Sequence, residues 1–212
     1  MEQDPSSSSH DLRTEAQLRA VYGKASPTIR DKALPRMDAH VRRFISLSPF
    51  FCIGTGRPGM LADVSPRGGE PGFVQVLDDT HLAFPDRPGN NRLDTLTNIV
   101  HAPAVGLLFF IPGIEEMLRI NGLATVTTDP ALLERFTEDG RRARSVVRVE
   151  AREVYLHCTK ALKRAELWNP EKQVPREALP TFGQMVRDQY GIKLPAAVLD
   201  FGLRQDARRN LY

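Results

Sequence analysis

The sequence predicts a mainly β fold, an antiparallel barrel that is closed or nearly closed, with helices at its periphery. Three observations carry that prediction. Six or seven short segments rich in apolar and β-forming residues follow one another through the middle of the chain, separated by Gly, Pro and Asp-Asp pairs. The crossovers of about a dozen residues that parallel strands require are mostly missing between them. Closure is also the arrangement that leaves such strands without exposed edges.

Residues 1–10 (MEQDPSSSSH) read as a disordered tail, polar and Ser-rich. In DLRTEAQLRAVY, Leu12, Ala16, Arg19 and Tyr22 recur at helical spacing, with Asp11 as the expected cap. Pro27 and Pro35 break the next stretch. Asp38 opens a second helix, DAHVRRFISLS, with Val41, Phe44, Ile45 and Ser48 on one face and Pro49 as its stop. Strands are expected at FFCIGT, MLADVS, GFVQVL and HLAFP, followed by a helix from Asn91 to His101. AVGLLFFIP and MLRINGLATVTT are two further strands, and Gly122 suggests a bulge in the second. Asp129-Pro130 opens a short helix holding Leu132, Leu133 and Phe136. SVVRVEAREVYLH alternates Val146, Arg148 and Glu150 against Val147, Val149 and Ala151, the pattern of a long half-exposed strand. TKALKRAELW supplies a helical turn or two. A link with Pro170, Pro175 and Pro180 leads to a helix from Thr181 to Tyr190. The expected organisation is helices over 11–48 packing on a barrel over 49–168, then a helical extension over 169–212.

The composition bounds the function. The chain has 212 residues, enough to bury a core without disulfide or metal staples. With 41% hydrophobic and 26% charged residues it reads neither as disordered nor as a membrane protein. Basic minus acidic residues, 29 − 26, leaves a net charge of +3, too little to argue for a nucleic-acid partner. Of the 29 basic residues only 6 are Lys, leaving 29 − 6 = 23 Arg, whose planar forks suit phosphate or carboxylate. Genome base composition also enriches Arg. Two cysteines, Cys52 and Cys158, exclude a disulfide scaffold and a four-Cys zinc site. The N-terminus has no basic start followed by an apolar stretch. The longest apolar run, Ala104 to Ile111, is too short to span a bilayer, so a cytoplasmic protein with reduced thiols is expected.

Several motifs bear on chemistry. Gly54-Thr55-Gly56-Arg57-Pro58-Gly59 matches a dinucleotide fingerprint, but Pro58 lies inside it and a strand rather than a helix follows, so it reads as a hairpin connection. In Asp63–Gly69 (DVSPRGG), Ser65 and Arg67 are candidate anion donors. Gly68 and Gly69 would allow close backbone approach to a ligand, although the same residues make ordinary turns. Pro85–Arg92 (PDRPGNNR) leaves a strand and enters a helix. Two prolines direct its path, Gly89 offers a sharp turn and Asn90 offers a cap. Arg87 and Arg92 flank a helix start that already favours an anion, which suits phosphate binding. Lys160 and Arg164 share a helical face as a second anion clamp or a solvated surface. Trp168, the single Trp, suits core, interface or ligand stacking. His157 and Cys158 are adjacent and point to opposite faces of a strand, so no metal site is expected. No G-x-S-x-G elbow occurs and no general base stands out.

These stretches carry a resemblance. SPRGGEPGFVQVL, LAFPDRPGNNRLDTLTNI, VGLLFFIPG, LRINGLATV and HCTKALKRAELW, spanning about residues 50 to 170, resemble the pyridoxamine 5'-phosphate oxidase-like flavoproteins, in particular their subgroup of FMN-dependent enzymes. The resemblance implies an FMN-binding split β-barrel and a homodimer with FMN at the subunit interface. It further implies an FMN-dependent oxidoreductase acting on a small molecule by hydride transfer through flavin N5. By position it places Ser65 and Arg67 at the flavin, Pro85, Asp86 and Arg87 beside the ring or ribityl chain, and Asn91 and Arg92 at the FMN phosphate. Lys160, Arg164 and Trp168 would reach the partner's flavin. The chain ends RQDARRNLY without the Arg-x-His-type element that the oxidase carries near its vitamin substrate, which argues against pyridoxamine phosphate as substrate. A flavin-storage protein, or a relative holding another flavin-like or tetrapyrrole ligand, are the competing readings.

Overall fold

The computed structural model describes residues 10–87, 89, 91–138 and 140–209. Residues 1–9 of the tail expected over 1–10, and Pro88 and Asn90 within the PDRPGNNR segment, lie outside the described residues. Seven strands form one wholly antiparallel sheet: β1 Phe50–Thr55, β2 Asp63–Gly68, β3 Gln75–Val76, β4 His81–Asp86, β5 Ala104–Phe110, β6 Met117–Thr127 and β7 Ser145–His157. The spatial order is β2-β1-β5-β6-β7-β4-β3, so β2 and β3 are the two ends and share no ladder. The sheet curls into a half-barrel left open between those ends. This is the split-barrel architecture that the resemblance implies, built from the antiparallel strands that the sequence pattern predicts.

Two apolar layers hold the curl. Inside it, Phe51 stands edge-on to Phe84 at 4.9 Å and stacks with Phe109 at 4.8 Å between ring centroids. Ile53, Leu107, Leu118, Ile120 and Val149 fill the remaining space. The helix α3, Ala39–Leu47, is capped by Asp38, whose side chain accepts from the Val41 N–H, and closes this core with Val41 and Ile45. Where α3 ends, the buried Ser48 hydroxyl contacts the carbonyls of Phe50 at 2.8 Å and Phe110 at 2.6 Å, joining the helix end to β1 and β5. On the other face of β4, Ala83 meets Leu133 and Phe136 at the end of α5, Pro130–Arg135, together with Val146. Covering on both faces explains why β4 is buried at four consecutive positions instead of alternating.

The strand bounds depart from expectation at β2 and β3. β2 begins three residues later than MLADVS suggests and runs through Pro66 to Gly68. Proline is tolerated there because β2 is an edge strand with only β1 as partner. β3 shrinks to two residues, since Gly72 adopts φ 95° and the chain is still turning through Phe73. The bulge expected at Gly122 is present: β6 and β7 shift register between Asn121, opposite Glu153, and Gly122, opposite Ala151, so Arg152 is the extra residue.

The remaining helices are α4 Asp94–His101, α6 Lys160–Ala165, α7 Phe182–Tyr190 and α8 Ala196–Arg209, with 3-10 turns at Pro170–Lys172 and Arg176–Ala178. α4 starts three residues later than expected. α7 and α8 pack as a hairpin, with the Gly183 N–H donating to Asp200 at 2.7 Å. α8 is unforeseen by the sequence pattern. The described residues up to Ala33 form a separate unit containing α1 Glu15–Tyr22 and α2 Pro27–Arg30, neither of which has a buried residue. α1 is capped by Thr14 in a reciprocal pair with Gln17, and not by Asp11. Of the predicted 11–48 helices, α3 is the one that lies within the barrel's unit. Among the described residues no helix is long and apolar enough to cross a membrane, and no cluster suited to a metal ion occurs.

One turn yields a pH prediction. Between β3 and β4, Asp78 accepts from the backbone N–H groups of Thr80 and His81, both at 2.7 Å. The Thr80 N–H foremost, against a burial cost and with the His81 side chain helping, holds the Asp78 carboxyl far below its ordinary value. A depressed carboxylate adds stability above its ordinary pKa and loses it as pH falls toward the folded value. Asp78→Asn is therefore expected to lower the thermal midpoint at pH 7, with the gap to the parent closing below about pH 4. A gap independent of pH in thermal melts would refute the role given to this charge.

Candidate functional site

β2 is one end of the strand order and β4 is next to the other, yet the curl brings them to the same two clefts. The clefts share a floor of Pro66, Arg67, Asp86, Arg87 and Gly89. One, of about 620 Å³, opens toward the start of α4 and adds Ser65, Asn91, Arg92, Thr95 and Arg144. The other, of about 490 Å³, opens toward the end of α5 and adds Phe73, Gln75, Pro85, Arg135 and Glu138. Local chain direction explains the lining. β2 alternates, so Ser65 and Arg67 share one half-buried face while Val64 and Pro66 are exposed on the other.

The α4 cleft is held by a hydroxyl network. Asp63 accepts from Thr95 Oγ1 at 2.7 Å and from Ser65 Oγ at 3.1 Å, with Thr55 Oγ1 at 3.4 Å. Asn98 donates to Thr55 Oγ1 at 3.1 Å, and Thr55, Thr95 and Asn98 are all buried. The network pins α4 to β1 and β2. It also engages the one proton of Ser65, so the hydroxyl expected to donate to an anion faces the cleft as an acceptor in this arrangement.

The bend before α4 is left-handed at two non-glycine residues, Asn91 at φ 57° and Leu93 at φ 59°. The sharp turn was expected at Gly89, which does not adopt a positive φ. Such conformations cost about 1–3 kcal/mol each and persist where surroundings enforce them. Leu93 is the helix N-cap and offers no capping side chain, so among the described residues no N-cap side chain accepts from the first-turn N–H groups of α4. α1, α3, α5 and α7 all have one.

The charges divide by partner. Arg92 donates through Nε to Asp94 at 2.7 Å, and this partnership raises its pKa; its side chain is 74% exposed. Arg87 donates to Glu138 at 2.6 Å with a side chain only 19% exposed. Arg67 donates to the Pro66 carbonyl at 3.0 Å. Burial pushes the Asp86 carboxyl above its ordinary value, against the pull of Arg67 and Arg144. Arg135 is aligned by a reciprocal pair with Gln75, side chain to side chain and side chain to carbonyl, both at 3.2 Å.

Seven of the ten residues singled out from sequence thus gather here: Ser65, Arg67, Pro85, Asp86, Arg87, Asn91 and Arg92. The other three lie elsewhere in the single chain. Lys160 and Arg164 are exposed on α6 and line neither cleft. Trp168 lines a third cavity of about 370 Å³ and donates through Nε1 to the Ile114 carbonyl at 2.9 Å. Gly69 has an internal reason to be small, since a Cβ there would come within 2.9 Å of Phe73. Arg144, Asp63, Thr95 and Arg135 were missed. No sequence spacing marks Arg144, which reaches Asn91 from 53 positions away.

Residues 37–158 match the family model described as pyridoxamine 5'-phosphate oxidase. No curated protein matches the chain. Among solved structures, HupZ of Group A Streptococcus is similar at 13% identity and TM-score 0.46, over 57% of this chain and 99% of that one. The conserved hypothetical protein Rv2991 of Mycobacterium tuberculosis is similar at 13% identity and TM-score 0.45, over 71% and 98%. An FAD-binding protein of Mesorhizobium loti is similar at 13% identity and TM-score 0.39, over 56% and 93%.

Proposed function

The chain belongs to the pyridoxamine 5'-phosphate oxidase family, and from that premise we propose that its paired clefts bind FMN and that it is an FMN-dependent oxidoreductase acting on a small molecule. The observation that carries the reading is the α4 cleft. Arginines, an Asn in a left-handed bend and a helix start without a side-chain cap meet in one concavity. A phosphate dianion asks for forked and backbone donors, and these residues supply both kinds. The donor set therefore fits the group. Asn91 and Arg92 would hold the phosphate, with Arg92 exchanging Asp94 for it. Ser65 and Arg67 would approach the flavin, while Pro85, Asp86 and Arg87 would border the ring or ribityl chain.

When bound, the flavin supplies hydride exchange at N5, and the protein's share is to orient it and keep water out. Arg67 lies on the shared floor, where a positive charge stabilises negative charge developing on a ring edge. A homodimer belongs to the same proposal. Lys160, Arg164 and Trp168, remote from the clefts within one chain, would act on the partner's flavin. Exposed Val64 and Val100, on the elements that line the α4 cleft, would be covered there.

The test is the small molecule that accompanies the purified protein. FMN is expected by mass spectrometry and by a flavin spectrum, with bleaching by NADH or NADPH under anaerobic conditions and recolouring by an acceptor. A tetrapyrrole or another ligand in its place would overturn the cofactor. Bound FMN that no donor reduces would leave a storage protein. Sedimentation of a monomer with undiminished FMN affinity would refute the shared-interface site.

A further inference from the structure

Resting on the reading of the α4 cleft as the FMN phosphate site, we infer that Arg144, the residue just before β7, is the guanidinium that discriminates a phosphorylated ligand from an unphosphorylated one. Four arginines line this cleft. Arg87 is bonded to Glu138 and Arg92 to Asp94, so an anion reaching either must compete with a carboxylate already in place. Arg67 and Arg144 carry no ion pair among the described residues. Arg67 lies on the floor common to both clefts, whereas Arg144 lines only the cleft beside α4.

The geometry around Arg144 suits an anion fork. Its backbone N–H donates to the Asp86 carbonyl at 3.2 Å, which fixes its Cα against the end of β4. Its Nη1 donates to Asn91 Oδ1 at 3.2 Å, tying it to the left-handed bend. That bond uses one of five guanidinium N–H donors and pairs it with a neutral amide; the acid that feels its charge is Asp86, whose carboxyl burial pushes above its ordinary value. The guanidinium makes no other hydrogen bond among the described residues. Arg144 therefore stands beside the start of α4, where the N-cap Leu93 supplies no capping bond, with donors to offer and held from two directions.

Titration of wild type, Arg144→Ala, Arg144→Lys and Arg92→Ala with FMN and with riboflavin decides the matter. Wild type is expected to prefer FMN by about tenfold or more, the scale of a charge-assisted contact. Arg144→Ala is expected to lose most of that preference while riboflavin affinity stays within about twofold, and Arg92→Ala to lose less. Inorganic phosphate should compete with FMN in wild type and not in Arg144→Ala. In an Asn91→Gly background, which removes the amide and tolerates the bend, Arg144→Ala should still narrow the preference. No further narrowing would reduce Arg144 to a brace and overturn the inference. So would an Arg144→Ala protein that keeps its preference, or loses both ligands alike. A wild type that binds both ligands equally would instead overturn the phosphate reading itself. Should the alanine variant fail to fold by circular dichroism, the lysine variant carries the test: an unchanged preference refutes the inference and a reduced one supports it.

Discussion

Replacing Gly122 with alanine is expected to destabilise the barrel by more than about 3 kcal/mol, from a single methyl group. An added Cβ would lie 2.1 Å from the Glu150 carbonyl oxygen, 3.0 Å from its carbon and 3.2 Å from Val149 Cγ1. The obstacle is backbone, so no rotamer change relieves it. β7 must move away from β6, and that ladder is the longest in the sheet, running from Met117 opposite His157 to Thr127 opposite Val146. Relief by shifting register is closed as well, because a one-residue slip would turn Val147, Val149 and Val154 out of the core. Gly106 on β5, which faces Asn121 on β6, serves as the control. A Cβ there would stand 3.4 Å from Asn121 Oδ1, a side-chain atom that can yield, so Gly106→Ala should cost much less. Chemical denaturation of the two variants checks this, and equal midpoints would refute the assignment of the close approach.

Asp63→Ala should lower both stability and ligand affinity. The carboxylate accepts from Thr95 and Ser65, with Thr55 also within reach, and it lies where β2 leaves the β1–β2 turn beside α4. Its removal leaves the Thr95 hydroxyl without its acceptor at a position 2% exposed, at a cost of about 2–4 kcal/mol with the loosening of its neighbours. The functional consequence follows from α4. Thr95 is in the helix's first turn, so releasing it frees the bend at Asn91 and Leu93 and spreads the anion cradle. FMN affinity should fall more than riboflavin affinity. Asp63→Asn keeps one acceptor oxygen but adds donors among hydroxyls, and should fall between alanine and wild type. A denaturation midpoint unchanged by Asp63→Ala would mean that the network does not pin the helix.

The two predictions mark where local pattern ends. Alternation in β7, the capping residues Asp38, Asp129 and Thr181, and the prolines around α3 and α5 are legible because helix and strand periods depend on neighbours a few positions apart. The bulge at Gly122 was legible for the same reason, although the carbonyl that forbids a side chain there was not. β2 was misplaced because apolar Met60 and Leu61 look like strand, whereas in the fold both are exposed and the edge position admits Pro66 instead.

By itself the sequence determined a run of antiparallel strands between helices, the resemblance to a flavoprotein family, and the segments that gather at the clefts. Tertiary structure alone decided which atoms are available there. Ser65 is engaged by Asp63, Arg87 by Glu138 and Arg92 by Asp94, while Arg144 arrives from the distant segment that leads into β7 to meet Asn91. The physical reason is range. A periodic pattern records which face a residue occupies, but a hydrogen bond at the site is made between chain segments that only the closing curl of the sheet brings within about 3 Å.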